Sequence, residues 1–206
     1  MSVFDRHSKE YDYWYDKNRF VYLSELKALK KVLPTFGKGL EIGVGTGRFA
    51  KPLGITFGLD PSAEMLGIAN ERGIKTRWGF GEDLPFWHDK FDYVAIIISL
   101  CFVNDPVKVL EESFRVLKSN GRIVLGIVDK NSFLGKFYQK KKSIFYKQAK
   151  FFGIKDLSKM LSDSGFKKIN YYQTIFDLLG NISSIQEPIK GYGKGGFVVV
   201  SGQKSD

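Results

Sequence analysis

An open α/β sheet with helices on both faces is the fold that this 206-residue sequence predicts. Three observations predict it. Apolar runs alternate with amphipathic stretches between residues 38 and 130. One run, DYVAIIISL (92–100), is apolar without alternation, as a parallel strand covered on both faces must be. The last two runs have no helix between them, which implies an antiparallel pair at the sheet edge. A 43% apolar content over this length supplies one core and hence one domain, 1–206. Its expected parts are a helical N-terminal segment (1–34), a central core (38–130), a basic and aromatic insert (131–153), and a C-terminal helix with a strand pair (154–206).

From Ser8 to Leu33 the residues Tyr11, Trp14, Tyr15, Tyr22, Leu26, Leu29 and Leu33 recur at helical spacing, and Pro34 and Gly37 stop the helix. Trp14 and Phe20 are expected to rest on the sheet. Strands follow at GLEIGV (39–44), ITFGLD (55–60), IKTRWGF (74–80), FDYVAIIISL (91–100) and GRIVLGIV (121–128). Pro106 to Lys118 reads as a helix whose Val107, Val109, Leu110, Phe114 and Leu117 share a face; Asp105 caps its start. IKDLSKMLSDSGF (154–166) reads as a helix ending at Gly165, before strands in KKINYYQTIF (167–176) and GGFVVVSGQ (195–203). The polar stretch 177–195 between them is expected to be a mobile loop.

The longest apolar stretch, Val94 to Val103, is too short to span a bilayer. The N-terminal MSVFDRHSKEYDYW has no apolar core of a signal peptide. A single cysteine, Cys101, allows no internal disulfide, so a cytoplasmic setting is expected. The net charge of +10 fits either RNA or a lysine-rich solvated surface. No cluster of Cys and His has metal-ligand spacing, and no metal is expected.

The stretch LEIGVGTGRFA (40–50) places Gly43, Gly45 and Gly47 between a strand and a helix start. Amides exposed there favour a negative group, and glycine lets backbone approach a ligand. Asp60 ends the next strand, where a carboxylate can accept two hydrogen bonds from a ribose diol. A dinucleotide fingerprint requires glycine at position 48, which is Arg48. The pattern therefore predicts a nucleoside-type cofactor.

At these residues the chain resembles the class I S-adenosylmethionine-dependent methyltransferases, in particular the methyltransferase type 11 group that includes the ubiquinone-biosynthesis type. LEIGVGTGRFA resembles the family's first motif, GLDPSAEML (58–66) its second, and GFGEDLPFWHDKFDYV (79–94) its third. NDPVKVLEESFRVLKSNGRIVLGIV (104–128) is similar to a later helix and strand. The resemblance spans nearly the whole chain. It implies a Rossmann-like seven-stranded, mostly parallel sheet with the last strand antiparallel, and S-adenosyl-L-methionine as cofactor. By the same resemblance, Gly43, Gly45 and Gly47 would lie against the methionine part, and Glu41 would help to bind its amino group. Asp60, with Pro61 beside it, would hold the ribose, and Met65 would pack on the adenine. Gly81 and Glu82 would meet the adenine edge, and Ser99 would lie near the sulfur. Independently of the resemblance, the aromatic N-terminal helix could close over the cofactor, with Tyr11 or Tyr15 as a hydroxyl donor and a wall. Family members commonly carry an acid for the adenine amino group where this chain has Phe80; Glu82, Asp83 or the ring itself could replace it.

Base candidates are few. His7, Tyr11 and Tyr15 lie in the N-terminal segment, which often covers the site in similar proteins. His88 falls on the far side of the sheet, and Cys101 follows an apolar strand as a packing residue would. SLCF stands where amino-methylating enzymes carry an Asp/Asn-Pro-Pro-aromatic pattern, and no Pro-Cys pair supports cytosine chemistry. The insert GKFYQKKKSIFYKQAKFF (135–152) has six lysines and no acid. It could contact RNA, or cover a small-molecule pocket with Phe137, Ile144, Phe145 and Phe152 while its lysines face water. The sequence reads as a methyltransferase acting by in-line displacement on a small-molecule acceptor. The alternatives are an RNA methyltransferase using 136–150, a nicotinamide-dependent oxidoreductase, and a cofactor-binding protein without catalysis.

Overall fold

The computed structural model describes residues 3–141 and 143–205. Among these, the apolar runs form strands Gly39–Ile42 (β1), Phe57–Asp60 (β2), Lys75–Trp78 (β3), Phe91–Ile97 (β4) and Leu117–Val128 (β5). Phe166–Thr174 (β6), Ile189–Lys190 (β7) and Phe197–Lys204 (β8) follow. The helices are Val3–Arg6 (α1), Ser8–Lys17 (α2), Arg19–Leu29 (α3), Ala50–Leu53 (α4), Ala63–Glu71 (α5), Pro106–Val116 (α6), Phe133–Lys140 (α7) and Ile154–Asp163 (α8).

The strands make one sheet in the order β3-β2-β1-β4-β5-β8-β6-β7. The first five pair in parallel, and β8 enters antiparallel between β5 and β6. The Rossmann-like sheet and its antiparallel last strand are as expected, but the strand count is eight instead of seven. The extra strand lies inside 177–195, where Ile189 and Lys190 pair with Gln173 and Tyr172. That stretch is tied down elsewhere too. The Gln186 N–H donates to Ser24 Oγ at 2.9 Å, and Gln173 Oε1 accepts from the N–H groups of Lys194 and Gly195 at 2.7 Å. Polar side chains satisfy backbone groups here that apolar patterning could not reveal.

Successive residues of the central strands enter opposite cores. Tyr93, Ala95 and Ile97 of β4 join the core beneath α2, α3, α5 and α7, while Val94 and Ile96 join the one beneath α6 and α8. A strand buried on both faces needs apolar residues at every position. The helix expected over Ser8–Leu33 is interrupted at Asn18, whose backbone N–H and side-chain amide both donate to the Trp14 carbonyl at 2.9 Å. Phe20 is 42% exposed and does not rest on the sheet as expected, whereas Trp14 is partly buried against the core. Asp105 caps α6 as expected, accepting the Lys108 N–H at 3.0 Å.

Candidate active site

A cleft opens at the C-terminal ends of β1, β2 and β4, the end at which open parallel sheets bind ligands. Nine of the residues expected there line it: Tyr11, Gly43, Gly45, Asp60, Pro61, Met65, Gly81, Glu82 and Ser99. Gly43 and Gly45 have φ of 71° and 52°. A Cβ on Gly43 would lie 2.4 Å from Ser99 Cβ, so glycine there keeps the loop and the end of β4 in contact.

The loop offers room more than donors. Its N–H groups at Gly43 and Val44 donate to the Leu59 carbonyl, that of Gly47 to Val44, and that of Gly45 to Asp60 Oδ2. The expectation of bared amides is corrected here, because these four are used within the fold. Such a loop suits a ligand portion without phosphate, which sets it apart from a dinucleotide seat.

Two expected contacts do not reach the cleft. Glu41 is buried beneath the loop and accepts from the Ala50 N–H; its Oε2 has no partner among the described residues. Burial, and then the neighbouring Asp60 charge, push its carboxyl well above the usual range. Gly47 packs instead against α5 and Ile74, where an added Cβ would sit 3.5 Å from Ala69. Arg48, at the position that departs from the dinucleotide pattern, reaches α2. Its guanidinium donates to Asp12 and Asp16 at 2.6–2.9 Å. Arg72 and Thr46 also donate to Asp12. Against desolvation, which would raise it, these bonds hold the Asp12 carboxyl well below its usual value.

Asp60 Oδ1 accepts the Ser62 N–H and its Oδ2 the Gly45 N–H, both at 2.9 Å. Each oxygen keeps a second lone pair for a ribose hydroxyl. Burial raises its carboxyl, although these two bonds oppose the shift. Glu82 lines the cleft but is anchored, with Oε1 accepting from the N–H groups of Asn104 and Asp105. Phe80 lines the cleft, edge-on to Trp78 with ring centroids 5.5 Å apart, and supplies an aromatic wall where an acid was expected.

A second cavity of about 400 Å³ adjoins the first and shares Tyr11, Ile98 and Phe102 with it. That volume is in the range of small-molecule sites. Ile98 has φ 54°, a costly conformation for a β-branched residue, at the boundary between the two cavities. The walls include Trp14, Tyr15, Tyr138, Phe145 and Tyr146, and Tyr11 Oη lies 2.8 Å from Tyr15 Oη. Burial pushes all four of these phenols upward, so Tyr11, Tyr15, Tyr138 and Tyr146 stay protonated. Glu25, 3% exposed, also lines this cavity.

The insert contributes Tyr138, Ile144, Phe145 and Tyr146 to the cavity, while Phe137 is 44% exposed and Phe152 lines a smaller neighbouring void. Lys136, Lys140, Lys141, Lys147 and Lys150 are exposed. His7 lines neither cavity; its Nδ1 is 3.0 Å from Glu10. His88 is exposed beside Asp89. Burial pushes the Cys101 thiol up to about 12, which suits packing and not nucleophilic attack. Among the described residues, no group of three acids, histidines or cysteines could hold a metal, and no helix is long and apolar enough to cross a membrane.

A glycine cradle whose amides at Gly43, Val44, Gly45 and Gly47 are spent within the fold, an acid at the end of β2 and a largely apolar cleft suit a nucleoside cofactor lacking a phosphate. The comparisons agree. The methyltransferase-domain family matches residues 40–125. A crystal structure from Thermotoga maritima, described as a SAM-dependent methyltransferase and possible histamine N-methyltransferase, is 44% identical. It superposes with a TM-score of 0.96 over 98% of this chain and 99% of that one. An uncharacterized Methanocaldococcus jannaschii protein is 50% identical over 99% of this chain and 100% of its own length. A demethylmenaquinone methyltransferase of T. maritima is 34% identical over 67% of this chain and 66% of its own. The chain belongs to the class I S-adenosylmethionine-dependent methyltransferases, and its cofactor is S-adenosylmethionine.

Sequence reasoning missed Ile98, Phe102, Tyr138, Tyr146 and Glu25 as site residues. For Glu25 a signal existed. It stands three residues after Tyr22 and four before Leu29, on the stripe that buries α3, where an acid is out of place.

Proposed function

We propose that this methyltransferase acts on a small organic acceptor held in the aromatic cavity beside the cofactor cleft. The observation that carries this reading is the shared boundary of Tyr11, Ile98 and Phe102. Such a boundary would let an acceptor atom meet the methyl donor with water excluded. The cofactor would supply an electrophilic methyl on a sulfonium, open to an acceptor lone pair as the carbon–sulfur bonding pair passes to sulfur. In this reading Asp60 holds the ribose, Met65 and Phe80 bracket the adenine, and Gly43 and Gly45 make room for the methionine portion. Glu41 acts one layer below, stiffening the loop. Tyr11 and Tyr15 orient the acceptor as hydrogen-bond donors, since protonated phenols are poor bases at neutral pH. Helices α1 and α2 form a lid, latched to the glycine loop through Asp12.

The inward-facing rings of the insert favour a small molecule over RNA, because bases could not stack on Tyr138 or Tyr146 without opening the cavity. The test is to supply methyl-labelled S-adenosylmethionine to a cell extract divided by ultrafiltration. Label is expected among the small molecules. Label confined to retained RNA or protein would overturn the proposal.

A further inference from the structure

Glu25 has no evident structural task. It projects from α3 into the acceptor cavity, 3% exposed, and its Oε2 meets no donor among the described residues. An unpaired buried acid costs stability, so a fold that keeps one at a cavity wall gains from it only when a partner arrives. The partner's chemistry can be read from the surroundings. The groups facing Glu25 are the phenols of Tyr15 on α2, Tyr22 on its own helix, Tyr138 on α7, and Tyr146. Glu10 and Lys141 also line the cavity. Tyr138 and Tyr146 pack with tilted rings, centroids 4.6 Å apart, and Trp14 stands edge-on to Tyr15 at 5.2 Å. A carboxyl among aromatic faces is a seat for an organic cation, which the ring quadrupoles and the acid attract together.

Position decides which part of the acceptor this is. Glu25 lines the acceptor cavity and not the cofactor cleft. Tyr11, at the shared boundary, bonds to Tyr15, and Tyr15 in turn lies within electrostatic reach of Glu25. We infer that Glu25 is a specificity-determining residue that binds an ammonium or similar cationic group of the acceptor, remote from the atom that receives the methyl. The acceptor is thus a small cation with its nucleophilic atom at the other end. This inference rests on the small-acceptor reading above. Burial alone pushes the Glu25 carboxyl up to about 8, so near neutral pH the cation drives its ionisation and one proton leaves on binding.

Calorimetry on the full chain saturated with S-adenosylhomocysteine tests this. The probes are primary amines from propylamine to 2-phenylethylamine, each paired with the alcohol of the same shape. At least one amine is expected to bind tenfold or more tightly than its alcohol and, across buffers of different ionisation enthalpy, to release about one proton at pH 7. Glu25→Gln, isosteric with the neutral acid and checked for a cooperative melting transition and intact S-adenosylhomocysteine binding, is expected to erase that preference. An amine preference that survives Glu25→Gln, or no amine bound better than its alcohol by the wild-type protein, overturns the assignment. Should Glu25→Gln not fold, absence of proton release from wild-type protein decides against it alone. Loss of S-adenosylhomocysteine binding would instead strike the methyltransferase reading itself.

Discussion

At the residue scale, single atoms decide whether the site forms. Gly43→Ala places a methyl where Ser99 already is and asks an L-residue to adopt φ 71°. The backbone alone costs about 1–2 kcal/mol, and the overlap adds to it. The expected outcome is a lower melting temperature and no calorimetric uptake of S-adenosylhomocysteine. Asp60→Asn exchanges an ionised acceptor for an amide that cannot accept at both ends. Hydrogen bonds to charged groups are worth about 1.5–3 kcal/mol, so affinity should fall about tenfold to a hundredfold while the fold persists. Glu25 governs a pH effect. Its folded value near 8 exceeds its ordinary 4.5, so the folded chain holds a proton there that the unfolded chain has released. Stability from this group is full below about 4.5 and is lost as pH rises through 8. Glu41, also raised, acts in the same direction. Melting curves between pH 5 and 8 should slope downward, and Glu25→Gln should flatten that slope without removing it.

At the element scale, α2 is held to the glycine loop by charge as well as by rings. Asp12, its side chain 16% exposed, joins Arg48 and Arg72; Asp16, 57% exposed, joins only Arg48. Exposed pairs contribute under about 1 kcal/mol, whereas removing one partner of a more buried network costs more. Asp12→Ala should therefore speed cofactor dissociation in stopped-flow measurements by about tenfold or more, and Asp16→Ala by much less. Equal effects would argue against the latch. The same contrast explains what could be read in the sequence. β1, β2 and β4 each announce themselves as apolar runs, and the cleft residues follow them within a few positions, so Gly43, Asp60 and Ser99 were legible. The second cavity was legible only in part: Tyr11, Tyr15, Ile144 and Phe145 were expected around a pocket, but Glu25, Ile98, Tyr138 and Tyr146 were not. Its walls come from α2, α3, the end of β4 and the segment from Leu134 to Tyr146, which share no local pattern and meet only in three dimensions. The shift of Glu41 and Gly47 out of the cleft likewise depends on which way each strand or loop residue faces.

At the scale of the whole molecule, cofactor binding and folding are one equilibrium. A ligand at a hundred times its Kd adds about 2.7 kcal/mol, which for a chain of this length raises the melting temperature by about 5–10 °C. S-adenosylhomocysteine should produce such a shift and NADH none, since the loop amides at Gly43, Val44, Gly45 and Gly47 are already spent within the fold and Arg48 stands where a dinucleotide loop needs glycine. The break between α2 and α3 at Asn18 bears on kinetics. Tyr11 walls both cavities from the segment before this break, and in the lid proposed above spent cofactor and methylated compound leave when that segment lifts. Exit of the two products is then a single mechanical event, and turnover should slow in proportion to solvent viscosity while the transfer step, followed within one cycle, does not.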